Sequence, residues 1–149
     1  MAQRKPEQLL RDDWKKWVTP ITQDLDWIEC PSSSGIPDCN LCIDGTEIWV
    51  ELKVTKMPAR ATTALNLRHF TTEQRNWLHK RGSAGSPSFL LLRVVADYGN
   101  DHILVHGSRV HELDGASHAT STQIAVMRWV GSNPDVKILK STLVYKKPK

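Results

Sequence analysis

Residues 47–54, Glu47-Ile48-Trp49-Val50-Glu51-Leu52-Lys53-Val54, run with no Gly or Pro to interrupt them, and apolar and charged positions alternate from Val50 to Val54. Ile, Trp and Val dominate, so this stretch is predicted to be a β-strand. Strand period two sets Glu51 and Lys53 on one face, roughly 7 Å apart, and turns Leu52 the other way, into a core. A shorter apolar run, 39–43, precedes it, and Asp44-Gly45-Thr46 lies between. Asp-Gly at that position predicts a hairpin. Residues 25–30 read as an earlier strand. Residues 89–95 are apolar except for Arg93 and predict a central buried strand. A shorter strand, 102–105, follows the turn Tyr98-Gly99-Asn100-Asp101.

Two stretches carry the helical period instead. Leu10, Trp14 and Trp17 recur between Pro6, which suits a first helical turn, and Thr19-Pro20, which suits an end. Thr71 with Gln74 forms a capping-box pattern, after which Phe70, Gln74, Trp77 and Leu78 share a face and Arg81-Gly82 closes the helix. Residues 83–88 read as a Gly/Ser/Pro loop. Beyond His106 the pattern weakens. Residues 121–130 read as a helix carrying Ile124, Met127 and Arg128, and 136–145 fits a helix or a strand. The basic tail, 146–149, is expected to be mobile. The order strand, hairpin, helix, strand predicts an α/β fold with a central mixed β-sheet flanked by α-helices.

Composition narrows the picture without changing it. A chain of 149 residues predicts a single domain, 1–149. There is no apolar run of about 18 residues, so no membrane span is expected. The start, Met-Ala-Gln-Arg-Lys-Pro, has no apolar stretch of signal-peptide type. Three cysteines argue against a disulfide framework and fit a reducing cytoplasm. Cys39 and Cys42 fall on opposite faces of a strand and read as structural thiols. The six tryptophans are expected in core or helix-packing positions. A net charge of +4, with a pI near 9.1, favours a polyanionic partner.

The candidate chemistry gathers around the hairpin. Asp38, at the end of Gly35-Ile36-Pro37-Asp38, enters at the base of one strand, and Glu51 lies near the far end of its partner. The two carboxylates then meet at one end of the sheet. Converging carboxylates need a cation between them, or one must keep its proton. Hard oxygen ligands suit magnesium or manganese. Lys53 beside them can orient or deprotonate a water, or neutralise phosphate charge. The plainer reading of Glu51 and Lys53 is a same-face ion pair. Glu7 lies in line with the apolar stripe of the first helix, where an unpaired acid is costly. The helix dipole alone also favours an acid in a first turn, and Asp12 or Asp13 are alternatives. Ser33 and Ser34 precede Asp38, either as a polar linker or as a loop that lets backbone approach phosphate. Lys56, Arg60, Arg68, His69 and Arg75 follow the Glu51 strand. They are a solvated face by default and a grip on DNA backbone if the acids mark an active site.

Gly-Ile-Pro-Asp, a hairpin and then Glu-Leu-Lys resembles the PD-(D/E)XK nuclease superfamily. Among its members, the chain is most similar to small phage and bacterial VRR-NUC and Holliday-junction-resolvase-like proteins. The likeness covers about residues 7 to 95 and includes His69-Phe70-Thr71-Thr72-Glu73-Gln74-Arg75-Asn76-Trp77-Leu78. The resemblance implies a restriction-endonuclease-like core. It implies Mg2+ (or Mn2+) held by Asp38, Glu51 and the carbonyl of Leu52, with Glu7 as a further ligand directly or through water. It assigns Lys53 to the attacking water and sets Gln74 beside that lysine, a position the capping box explains equally well. Hydrolysis of DNA phosphodiesters follows, with no covalent intermediate and no small-molecule cofactor, in the cytoplasm of a bacterial or phage-infected cell. A basic DNA-binding module without catalysis stays open, as does a nuclease active only within a larger assembly. Branched, flapped, nicked, single-stranded and plain duplex DNA are all open substrates, and junction cleavage would call for a homodimer.

Overall fold

A computed structural model describes residues 5–29 and 35–145. In chain order these form α1 (Pro6–Val18), β1 (Asp24–Trp27), β2 (Cys39–Ile43), β3 (Thr46–Lys56), α2 (Thr72–Ser83), β4 (Ser88–Ala96) and β5 (Gly99–His106). A 3-10 helix at Gly107–Leu113, α3 (His118–Ile124), β6 (Met127–Val130) and α4 (Val136–Val144) complete the described residues. Among those residues, one six-stranded sheet runs in the order β1-β2-β3-β4-β5-β6. β3 and β4 are parallel, with α2 in the crossover between them, and every other neighbouring pair is antiparallel. The fold is therefore α/β, with a mixed sheet flanked by helices.

Strand periodicity divides the core into two layers. Ile48, Val50 and Leu52 of β3 face one side, where Leu10, Trp14, Trp17 and Val18 of α1 and Leu139 and Leu143 of α4 cover them. Leu90, Leu92 and Val94 of β4 face the other side, under Leu78 of α2, Val110 and Leu113 of the 3-10 helix and Ile124 of α3. β4 is covered on both faces, hence its nearly continuous apolar run, interrupted by Arg93. The β2–β3 hairpin turns through Asp44 at φ 49° and Gly45 at φ 80°. Two successive positive φ values are what a two-residue turn with native strand twist requires.

Several boundaries differ from the sequence expectation. β1 ends at Trp27, whereas 25–30 was expected, and Cys30 lies outside the described residues. So do Ser33, Ser34 and the tail 146–149. The later strand spans Gly99–His106 rather than 102–105. The expected helix 121–130 is instead two elements. Ser117 caps α3 by accepting the Thr120 N–H, and the helix ends at Ile124. Met127 and Arg128 then lie on β6, where Trp129 alone is fully turned into the core. The alternation of Val126 to Val130 pairs with β5 and outweighs local helix spacing. Residues 136–144 are helical, with Asp135 accepting from the N–H groups of Lys137 and Ile138. Gly82 lies inside α2 rather than ending it. A Cβ there would collide with the backbone of Gly107 and Ser108, so glycine allows α2 and the 3-10 helix to cross closely. No helix among the described residues is long and apolar enough to cross a membrane.

Candidate active site

Unequal strand lengths create the site. β2 pairs with β3 only as far as Cys39 opposite Val50, while β3 continues to Lys56 beside β4. Beyond Val50 the β2 side of β3 has lost its strand partner. The Asp38 carboxylate fills that gap: its Oδ2 accepts the Leu52 N–H at 3.1 Å. The Asp38 backbone is fixed from the other side, where its carbonyl accepts the Ile28 N–H at 2.8 Å. Gly35 adopts φ 77°, and a Cβ on it would strike the Glu73 carbonyl in the first turn of α2. Glycine therefore lets the Gly-Ile-Pro-Asp bend press against α2.

Glu51 enters from β3 on the α2 side of the sheet and is 1% exposed. Its Oε1 accepts a hydrogen bond from Gln74 Nε2 at 3.2 Å and lies 3.7 Å from Lys53 Nζ. Its Oε2 is buried and finds no hydrogen-bond partner among the described residues. Burial and then the negative charge of Asp38 push the Glu51 carboxyl up to about 9, against the opposing pull of Lys53. At neutral pH, with no cation bound, Glu51 therefore keeps its proton. Lys53 is itself nearly buried, at 7% exposure.

Gln74 both caps α2 and hydrogen-bonds Glu51. Its Oε1 accepts the Thr71 N–H and its own N–H reaches the Thr71 hydroxyl, completing the capping box. Its amide nitrogen remains free to hold Glu51. The helix cap thus orients the amide towards the acid.

Other candidates are distributed around this centre. Glu7 is exposed and lines a cavity of about 430 Å³ with Lys5, Val54, Lys56 and His69, beside the site rather than against Asp38. Asp13 is bound to Arg93, and Asp12 accepts from Gln8 at 3.0 Å. His69 Nε2 lies 3.1 Å from the Val54 carbonyl oxygen. Lys56, Arg60 and Arg68 are exposed. Arg75 is folded back: its Nε donates to the Phe70 carbonyl at 3.2 Å, and it lies 3.6 Å from Asp114. Cys39 is fully buried on β2, and burial pushes its thiol up to about 12; Cys42 faces the other way and is half-buried.

Arg11 is the site residue that sequence reasoning missed. Its guanidinium lies 3.6 Å from Asp38 Oδ1 and 4.9 Å above the centre of the Trp27 ring. The available signal was its spacing, four residues after Glu7 and thus on the same side of α1.

The donor set suits a hard divalent cation. Two oxygen-donor side chains converge, one with a buried oxygen that lacks a partner. Magnesium typically takes one or two carboxylates and completes its shell with water and phosphate oxygens. No cluster of three His, Cys, Asp or Glu side chains that could hold a metal occurs among the described residues. No family model matches the chain, and no curated protein matches it.

Proposed function

We propose that this protein is a magnesium- or manganese-dependent nuclease that hydrolyses phosphodiester bonds in DNA. The observation carrying this reading is the approach of the Asp38 carboxylate to the buried Glu51 carboxyl, which raises that group, while no hydrogen-bond geometry to Glu51 Oε2 is met among the described residues. Asp38 and Glu51 would hold the cation, with the Leu52 carbonyl as the family resemblance implies and Glu7 acting through water. A bound cation supplies an acidified water and offsets negative charge developing on the phosphate. Lys53, 3.7 Å from Glu51, would orient the attacking water and offset the extra charge in the transition state. Gln74 keeps Glu51 turned towards the cation. The exposed side chains of Lys56 at the end of β3, and of Arg60, Arg68 and His69 in the segment that follows it, suit contact with a phosphate backbone. The reading places the protein in DNA replication, recombination or repair in the cytoplasm of a bacterial or phage-infected cell. Paired cuts at a junction would require a homodimer.

The test is cleavage of supercoiled plasmid with and without magnesium. Wild type is expected to cut only with the cation. Asp38→Ala, Glu51→Ala and Lys53→Ala are each expected to lose at least about a hundredfold in rate while keeping a cooperative melt. Wild-type cutting by Asp38→Ala would overturn the reading.

A DNA-binding module without catalysis is the second reading, favoured by the way Arg11 already pairs with Asp38. It predicts DNA retention in gel shifts with no cutting under any cation.

A further inference from the structure

Resting on that reading of the site, we propose that Arg11 is a positioning residue that couples cation binding to phosphate binding through Asp38. The two oxygens of Asp38 are not equivalent. Oδ2 is committed to the Leu52 N–H. Oδ1 carries no such N–H bond, and Arg11 faces it at 3.6 Å. A divalent ion shared by Asp38 and Glu51 that takes this more open oxygen meets the charge Arg11 already neutralises. It must also tolerate a fixed positive charge a few ångströms away, or displace it.

The position of Arg11 makes displacement feasible. At 3.6 Å the contact is an ion pair rather than a short bidentate hydrogen bond. Both side chains are 27% exposed, so the guanidinium is at the mouth of the site and has room to turn. Its stacking on Trp27 keeps the planar head near the site while leaving its edge N–H groups available. Phosphate is the partner for which a guanidinium fork is best shaped. A phosphate arriving at the cation site would attract Arg11 away from Asp38 and release Oδ1. Phosphate would then strengthen cation binding, and by linkage the cation would strengthen phosphate binding by the same factor. Without phosphate, Arg11 holds the site in a state of low cation affinity.

The test uses manganese binding to the full chain, followed by titration calorimetry and independent of any cleavage. Arg11→Gln is expected to bind manganese about five- to tenfold more tightly than wild type, the scale of one partly exposed charge contact. Arg11→Lys keeps the charge and is expected to remain near wild type. Excess thymidine 5′-monophosphate, after correction for manganese bound to the nucleotide itself, is expected to tighten binding in wild type and leave Arg11→Gln unchanged. Equal or weaker manganese binding by Arg11→Gln would overturn the proposal alone. So would an equal response of both proteins to the nucleotide. No manganese binding by either protein would overturn it together with the metal-site reading beneath it.

Discussion

Glu51 and Asp101 are buried carboxyl groups on the same face of one sheet, at 1% and 0% exposure. Asp101 is surrounded by donors. Arg128 reaches it twice, at 2.9 and 2.7 Å, the Tyr98 hydroxyl donates at 2.8 Å, and His118 Nε2 lies at 2.7 Å. Burial pushes this group upward, but those hydrogen bonds outweigh it and hold Asp101 down at about 2. Glu51 receives one amide from Gln74 and a lysine at 3.7 Å. It faces another acid, and stands at about 9. The sheet can therefore satisfy a buried carboxylate completely where it serves to tie β5 to β6 and α3. At Glu51 one oxygen has no hydrogen-bond partner among the described residues.

Replacing each carboxyl group by its amide should have opposite effects on stability. Asp101→Asn leaves Arg128 and His118 facing a neutral amide and should cost about 3 kcal/mol in urea denaturation. Because the folded-state value of Asp101 is depressed, its contribution is complete above about 4 and disappears as pH falls towards about 2. Glu51→Gln should instead stabilise the cation-free protein, by about 1–2 kcal/mol. Here the folded-state value is raised, so the wild-type contribution is complete below about 4.5 and is lost as pH rises towards about 9. Denaturation in a chelator should show the advantage of Glu51→Gln widening between those limits. A Glu51→Gln protein less stable than wild type at pH 8 would break the comparison.

A smaller effect separates the two functions of Gln74. Thr71→Ala removes the hydroxyl that caps α2 and should cost about 1 kcal/mol, with cleavage little changed. Gln74→Ala should cost a similar amount and, on the proposed nuclease reading, lower the cleavage rate about ten- to a hundredfold, as removal of a group orienting a metal ligand does. Equal cleavage by the two variants would reduce Gln74 to a helix cap.

Local signals made much of this legible. Asp-Gly at 44–45, the alternation through Val54 and the apolar run after Phe89 each specify their element without distant help. The hairpin register followed from that turn, and with it the placement of Asp38 across from Glu51. Arg11 was not legible, because its function depends on where α1 crosses the sheet. Asp101 read as a turn residue, since its partners Arg128 and His118 are distant in sequence. Arg93 read only as the lone charge in an apolar run, because its partners, Asp13 and His102, lie on other elements. Residues 121–130 misled because period two and period 3.6 overlap over so short a span, and pairing with β5 decides between them.

The most direct test of the central claim is manganese titration of wild type and Glu51→Gln near pH 7, counting protons released per ion bound. Deprotonation of Glu51 on binding predicts release of about one proton by wild type, with weaker binding and no release by Glu51→Gln. Equal affinity and equal proton release in the two proteins would contradict the account.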